Sequence, residues 1–156
     1  LRESIPFIDA WDVKIMATDI SEASIAHAKR GVYQDRDIKR GMNPEMLAKY
    51  FVQKPDGWQV RDTIKSMVSF RQIDLTKPFV GMGRFDIVFC RNVAIYFSMQ
   101  VKRSLFERIG DLLTDDGHLF VGSSENLAHF GPRFTPQQHL RAVFYQPNRE
   151  PETAQA

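Results

Sequence analysis

Cysteine is nearly absent from this chain: Cys90 is the only one among 156 residues. A single thiol closes no intrachain disulfide, which points to a reducing compartment. The histidines His27, His118, His129 and His139 show no metal-ligand spacing, so no metal site is expected. Long apolar runs are missing too. No stretch approaches the roughly 18–20 residues that a membrane span needs, and Leu1–Ala10 has no signal-peptide layout. Charge of one sign is not in excess, with 21 Lys+Arg against 19 Asp+Glu and a net charge of +2. Composition therefore gives nucleic-acid binding no support, and membrane insertion is not expected. No internal repeat is visible at solenoid periods. A globular cytoplasmic chain is the expectation.

What is present is core-forming material. The chain is 43% hydrophobic, with twelve Phe, four Tyr and two Trp, enough for a sizeable core in a chain of this length. Short β-rich runs alternate with amphipathic segments, the pattern of an α/β layered sheet. Val13–Thr18 reads as a strand feeding a helix from Glu22, with Ser21 as N-cap and Gly31 as the left-handed stop. Asn43-Pro44 opens a short helix through Tyr50. Lys54-Pro55-Asp56-Gly57 predicts a hairpin turn between Tyr50–Val52 and Trp58–Val60. Val68–Leu75 alternates like a half-buried strand. Phe85–Cys90 is nearly continuous apolar sequence, expected of a central strand covered on both faces. Ser98 caps a helix to about Leu113, with Val101, Leu105, Ile109 and Leu112 on one stripe. Asp115-Asp116-Gly117 predicts a turn into the strand His118–Gly122. Phe134–Gln146 predicts an edge strand containing Pro136 and a return strand at Arg141–Tyr145.

Two places carry candidate chemistry. Asp19 is an acid at the carboxyl end of the first strand, where open parallel sheets bind ligands and a carboxylate can accept ribose hydroxyls; a loop or capping aspartate is the plainer alternative. The second is the abrupt end of an apolar strand in Arg91-Asn92, followed by Tyr96-Phe97 before a helix cap. A salt-bridged arginine, an Asn turn and packed aromatics would explain the same residues.

Taken together, Ala17-Thr18-Asp19-Ile20-Ser21, Gly31-Val32-Tyr33 and Cys90-Arg91-Asn92-Val93-Ala94-Ile95-Tyr96-Phe97 resemble the chemotaxis receptor methyltransferases of the CheR type. Gly117–Leu127, with its Ser124-Glu125 pair, is similar to the same family's next strand and its continuation. The resemblance runs from Trp11 to Pro147. It implies a class I, Rossmann-like methyltransferase sheet spanning 11–147, with a small antiparallel β-subdomain inserted at 50–64 and a frayed tail at 148–156. It implies S-adenosylmethionine as cofactor and methyl transfer to glutamates on the cytoplasmic helices of a chemotaxis receptor. By the same resemblance Asp19 binds the adenosine ribose and Asp74 and Leu75 lie beside the adenine. Arg91 and Asn92 stand at the cofactor–substrate junction, and Tyr96 lines the transfer site. Arg91 and Tyr96 are the candidate catalytic residues, assigned to orientation because a glutamate carboxylate is already ionised at neutral pH.

The family places a Gly-rich loop before the Asp19 strand, and no such loop stands in residues 1–13. Leu1–Ala10 resembles the end of the family's connecting helix. The resemblance further implies a sheet order 3-2-1-4-5-7-6, and strand 1 is lacking. The expectation is a truncated chain, inactive by itself, whose open slot is filled by a swapped segment, another chain or a retained upstream piece. A non-catalytic module used in signalling or assembly is the alternative function. A nicotinamide-dependent oxidoreductase also uses a strand-end acid, but the Arg91–Phe97 string speaks against it.

Two smaller readings complete the sequence. Cys90 is expected to be a buried structural thiol. Lys29, Arg30, Arg36, Lys39 and Arg40, interrupted by Asp35 and Asp37, read as a solvated face that would also suit acidic receptor helices. The turn at Gln53–Gly57 is shorter than in family members that bind a receptor's C-terminal peptide, so no such tether is expected.

Overall fold

The computed structural model describes residues 1–38, 40–130 and 132–148, without the side chains of Ala128 and His129. They form two compact units that divide between Asp74 and Leu75.

The first unit opens with turns and a single 3-10 turn at Ile8–Ala10, not with the α-helix end expected for Leu1–Ala10. Pro6 cannot donate to a helical ladder, and Phe7 takes a left-handed conformation (φ 60°) that no α-helix continues through. Glu3 anchors this segment by accepting from Tyr50 Oη and from Lys49 Nζ at 2.5 Å. Strand β1 (Ile15–Asp19) then leads into helix α1 (Glu22–Arg30). Ser21 Oγ accepts from Ser24 N–H at 3.2 Å, and Gly31 at φ 65° ends the helix by donating to His27 O. The cap and stop are those read from sequence.

Strand β2 (Val32–Tyr33) and helices α2 (Asp35–Ile38) and α3 (Pro44–Tyr50) follow, the last capped by Asn43 Oδ1 on Met46 N–H. The hairpin β3 (Phe51–Lys54) and β4 (Gly57–Val60) turns through Pro55-Asp56, as predicted. The sequence reading missed β2, which pairs with β4 and completes a three-stranded sheet of order β2-β4-β3. After helix α4 (Asp62–Lys65), strand β5 (Val68–Gln72) runs parallel to β1 in the register Asp19↔Gln72. These two strands stand for positions 2 and 3 of the implied sheet.

The second unit holds β6 (Phe85–Cys90), helix α5 (Met99–Leu112), β7 (Leu113–Val121), β8 (Phe134–His139) and β9 (Ala142–Pro147). Its sheet order is β6-β7-β9-β8, with β6 and β7 parallel and the β8–β9 hairpin antiparallel. That order is the 4-5-7-6 half of the implied sheet. Pro136 lies on β8, the edge strand, where a missing N–H is harmless. Asp115-Asp116-Gly117 does not end β7. It bulges within the strand, so that the register jumps from Phe85↔Leu113 to Ile87↔His118. Arg84 fixes the bulge by donating to Leu113 O and to Asp115 Oδ1 at 2.9 Å.

The core of this unit is the stripe of α5, where Leu105, Phe106 and Ile109 pack with Leu113, Leu119, Leu127 and Tyr145. Truncating Leu105, which is fully buried, would cost about 2–5 kcal/mol. Strand β6 departs from expectation. Ile87 and Phe89 are 47% and 69% exposed, so only its Phe85, Val88 and Cys90 positions are covered to any degree. Among the described residues β6 pairs with β7 alone. Asn148 is not frayed, because its N–H donates to Arg133 O at 2.8 Å. The remaining tail, 149–156, and Lys39 of the basic stretch lie outside the described residues. No described helix is long and apolar enough to cross a membrane.

Candidate active site

Strand β6 delivers Cys90, Arg91 and Asn92 to its carboxyl end in three different environments. Cys90 is buried, Arg91 is exposed, and Asn92 sits at φ 59°, a left-handed conformation that breaks the strand and favours Asn among non-glycine residues. A short 3-10 turn, Ala94–Tyr96, follows. It inserts Ala94 fully into the core and leaves Tyr96 81% exposed. Ser98 then caps α5 by accepting from Val101 N–H. Arg91, Asn92 and Tyr96 are thus brought to one turn between strand and helix.

Glu125 holds that turn. One carboxylate oxygen, Oε2, accepts the backbone N–H of Asn92 at 2.9 Å and of Gly122 at 2.7 Å. The other, Oε1, is buried with no hydrogen-bond partner among the described residues. A Cβ on Gly122 would collide with Asn92 Oδ1 and Glu125 Oε2, so the two strand ends approach this closely only with glycine there. Beneath the turn, burial first and the Glu125 carboxylate second push the Cys90 thiol up to about 11. Cys90 is a buried neutral thiol, as expected.

Asp19 and Asp74 lie at the matching edge of the first unit's sheet. The carboxyl ends of β1 and β5 are joined by Ile73 N–H donating to Asp19 O at 2.9 Å, and Asp74 is the next residue. Asp19 is exposed, and its Oδ1 accepts Ser21 N–H at 2.8 Å, so the turn-forming role weighed above is present alongside any other. Leu75 begins the second unit and packs on its core. Its carbonyl accepts Arg108 Nη2 at 2.8 Å, while the Arg108 guanidinium stacks on Phe79 at 4.8 Å.

The sequence reading assigned no role to Glu125 or Arg108. The Ser124-Glu125 pair was visible as a string, but an acceptor of backbone N–H groups leaves no residue pattern of its own. Among the described residues no cluster of His, Cys, Asp and Glu is arranged to hold a metal ion.

The family profile described as "CheR methyltransferase, SAM binding domain" matches residues 1–142. The chain belongs to the CheR methyltransferase family. A chemotaxis protein methyltransferase of Pseudomonas aeruginosa is 41% identical over 134 residues, covering 85% of this chain and 49% of that protein. The Escherichia coli chemotaxis protein methyltransferase is 35% identical over 127 residues, covering 78% and 44%. The chain therefore spans about half the length of the curated relatives it matches. Among solved structures, the N-methyltransferase NodS from Bradyrhizobium japonicum matches with a TM-score of 0.51 at 14% identity, over 86% of this chain and 74% of that one. That likeness is one of fold: the class I methyltransferase sheet.

S-adenosylmethionine is the cofactor of the matched CheR domain. The donor set here suits it. An exposed carboxylate at the end of β1 matches the chemistry of a ribose diol, and the neighbouring β5 end supplies a second acid for an exocyclic amine.

Proposed function

We propose that the protein carrying this chain transfers a methyl group from S-adenosylmethionine to glutamate side chains of a chemotaxis receptor. The observation that carries this reading is the exposed Arg91–Asn92–Tyr96 turn at the carboxyl end of β6, pinned by Glu125. When bound, the cofactor supplies an electrophilic methyl on a sulfonium. The chain's residues supply position. Asp19 holds the ribose hydroxyls, Asp74 accepts from the adenine amine, and Leu75 packs beside the ring. Arg91 and Asn92 occupy the junction of cofactor and acceptor. The Arg91 fork and the Tyr96 hydroxyl orient the acceptor carboxylate by charge-assisted hydrogen bonds. No general base is required, because the acceptor is already ionised; alignment and exclusion of water carry the rate.

β1 pairs only with β5, and β6 only with β7, so each strand has one backbone edge without a strand partner among the described residues. The reading includes a strand partner for each open edge, supplied by another part of the protein or by a second chain, since unpaired strand edges are costly.

The test is to incubate the full-length protein with S-adenosylmethionine and a receptor cytoplasmic fragment, then map modified residues by mass spectrometry. Methyl esters on receptor glutamates support the reading. A protein that binds S-adenosylhomocysteine but leaves the receptor unmodified supports a non-catalytic module instead.

A further inference from the structure

Three arginines of the second unit are already engaged. Arg84 pairs with Asp115, Arg133 pairs with Asp111, and Arg108 donates to the carbonyls of Leu75 and Lys77. Arg91 and Arg141 form no ion pair with another described residue, and both line one open cleft of about 540 Å³. Arg141 projects from the tip of the β8–β9 hairpin, next to Leu140, which is in a left-handed conformation at φ 53°. The register His139↔Ala142 fixes where that tip stands. Apolar groups wall the cleft: Phe89 and Val143 are 69% and 53% exposed, and Phe120 stacks on Phe89 at 5.0 Å. Among the described residues the only acid lining it is Glu125, whose Oε2 accepts two backbone N–H groups and whose Oε1 is buried without a hydrogen-bond partner.

Two uncompensated guanidinium groups over an aromatic floor match an amphipathic acidic segment, with carboxylates for the arginines and an apolar face for Phe89 and Val143. The geometry points to Arg141 as a second carboxylate-binding arginine of the acceptor site. It holds an acidic side chain that flanks the glutamate oriented by Arg91. This rests on the proposed methyl transfer to receptor glutamates and adds a determinant of acceptor specificity. Arg141 is exposed and takes no part in the core cluster of its own unit, so its contribution is to acceptor binding.

The test uses the full-length protein and a receptor cytoplasmic fragment. Arg141→Ala should raise the KM for receptor at least about tenfold, the worth of one charge-assisted contact, while S-adenosylhomocysteine affinity stays at the wild-type value. Arg141→Lys should recover part of the loss, and Arg141→Glu should be worse than Arg141→Ala. A role in hairpin packing alone would make Ala and Glu equivalent and give Lys no advantage. If the wild-type protein methylates receptor and Arg141→Ala leaves its KM unchanged, the assignment of Arg141 is overturned while the proposed reaction stands. If the wild-type protein modifies no receptor, the proposed reaction itself fails.

Discussion

A single oxygen of Glu125 accepts the N–H of Asn92 at 2.9 Å and the N–H of Gly122 at 2.7 Å, joining the carboxyl ends of the parallel strands β6 and β7. The contact explains why Asn92 can sit in a left-handed conformation at the end of an apolar strand. Its N–H, turned out of the ladder, is satisfied by a charged acceptor rather than left without one.

Glu125→Ala removes that acceptor from two backbone donors at once. Each charge-assisted bond is worth about 1.5–3 kcal/mol, so urea unfolding should show a loss of at least about 2 kcal/mol. The same variant should exchange the Asn92 and Gly122 amide hydrogens much faster. Unchanged protection of both amides would show that the turn stands without Glu125.

Cys90 gives a pH signature. Its folded value of about 11 lies above the roughly 8.5 of an unfolded thiol, so the folded state favours the protonated form. The stabilisation is therefore complete below pH ~8.5 and lost as pH rises toward the folded value, by an amount on the order of 3 kcal/mol. Cys90→Ala should flatten the stability curve between about pH 8.5 and 10.5 relative to the native protein. Parallel curves would contradict a thiol raised by burial. Glu125→Gln, which keeps the side chain but not its charge, should lower the Cys90 value, as read by the pH dependence of thiol alkylation.

Asp19→Ala in the full-length protein should weaken S-adenosylhomocysteine binding by about 1.5–3 kcal/mol, or roughly ten- to a hundred-and-fiftyfold. Asp19 also accepts Ser21 N–H, so Asp19→Asn serves as the second variant. It keeps a turn-forming acceptor and loses the charge. Calorimetry with wild-type affinity for both variants would reduce Asp19 to a turn residue.

Local chemistry was legible in the sequence where it acts over three or four residues. Ser21 and Ser98 cap the helices they were expected to cap, Asn43-Pro44 opens α3, and Gly31 stops α1, because each needs only its own neighbours. Pairings between distant residues were less legible. β2 is two residues long and has no period to detect; it exists because Val32 and Tyr33 meet Gln59 and Trp58. The Asp115–Gly117 bulge reads as a turn until Arg84 and the partner strand are in place. The apolar run of β6 implied cover on both faces, yet exposure depends on what lies alongside, which the run itself does not encode. Asp19, Arg91, Asn92 and Tyr96 were proposed from motif resemblance, which assigned nothing to Glu125, the carboxylate that accepts from Asn92 N–H.

The most direct test of the account is Arg91→Ala in the full-length protein, with receptor methylation rates and S-adenosylhomocysteine calorimetry measured on the same preparation. If Arg91 orients the acceptor carboxylate, methyl transfer should fall by at least about a hundredfold while cofactor affinity changes by less than about threefold, within half of one tenfold step. Arg91→Lys should recover only part of the rate, because the planar two-pronged donor is lost. An equal fall in rate and cofactor affinity would make Arg91 a cofactor ligand, and an unchanged rate would remove this turn from the reaction.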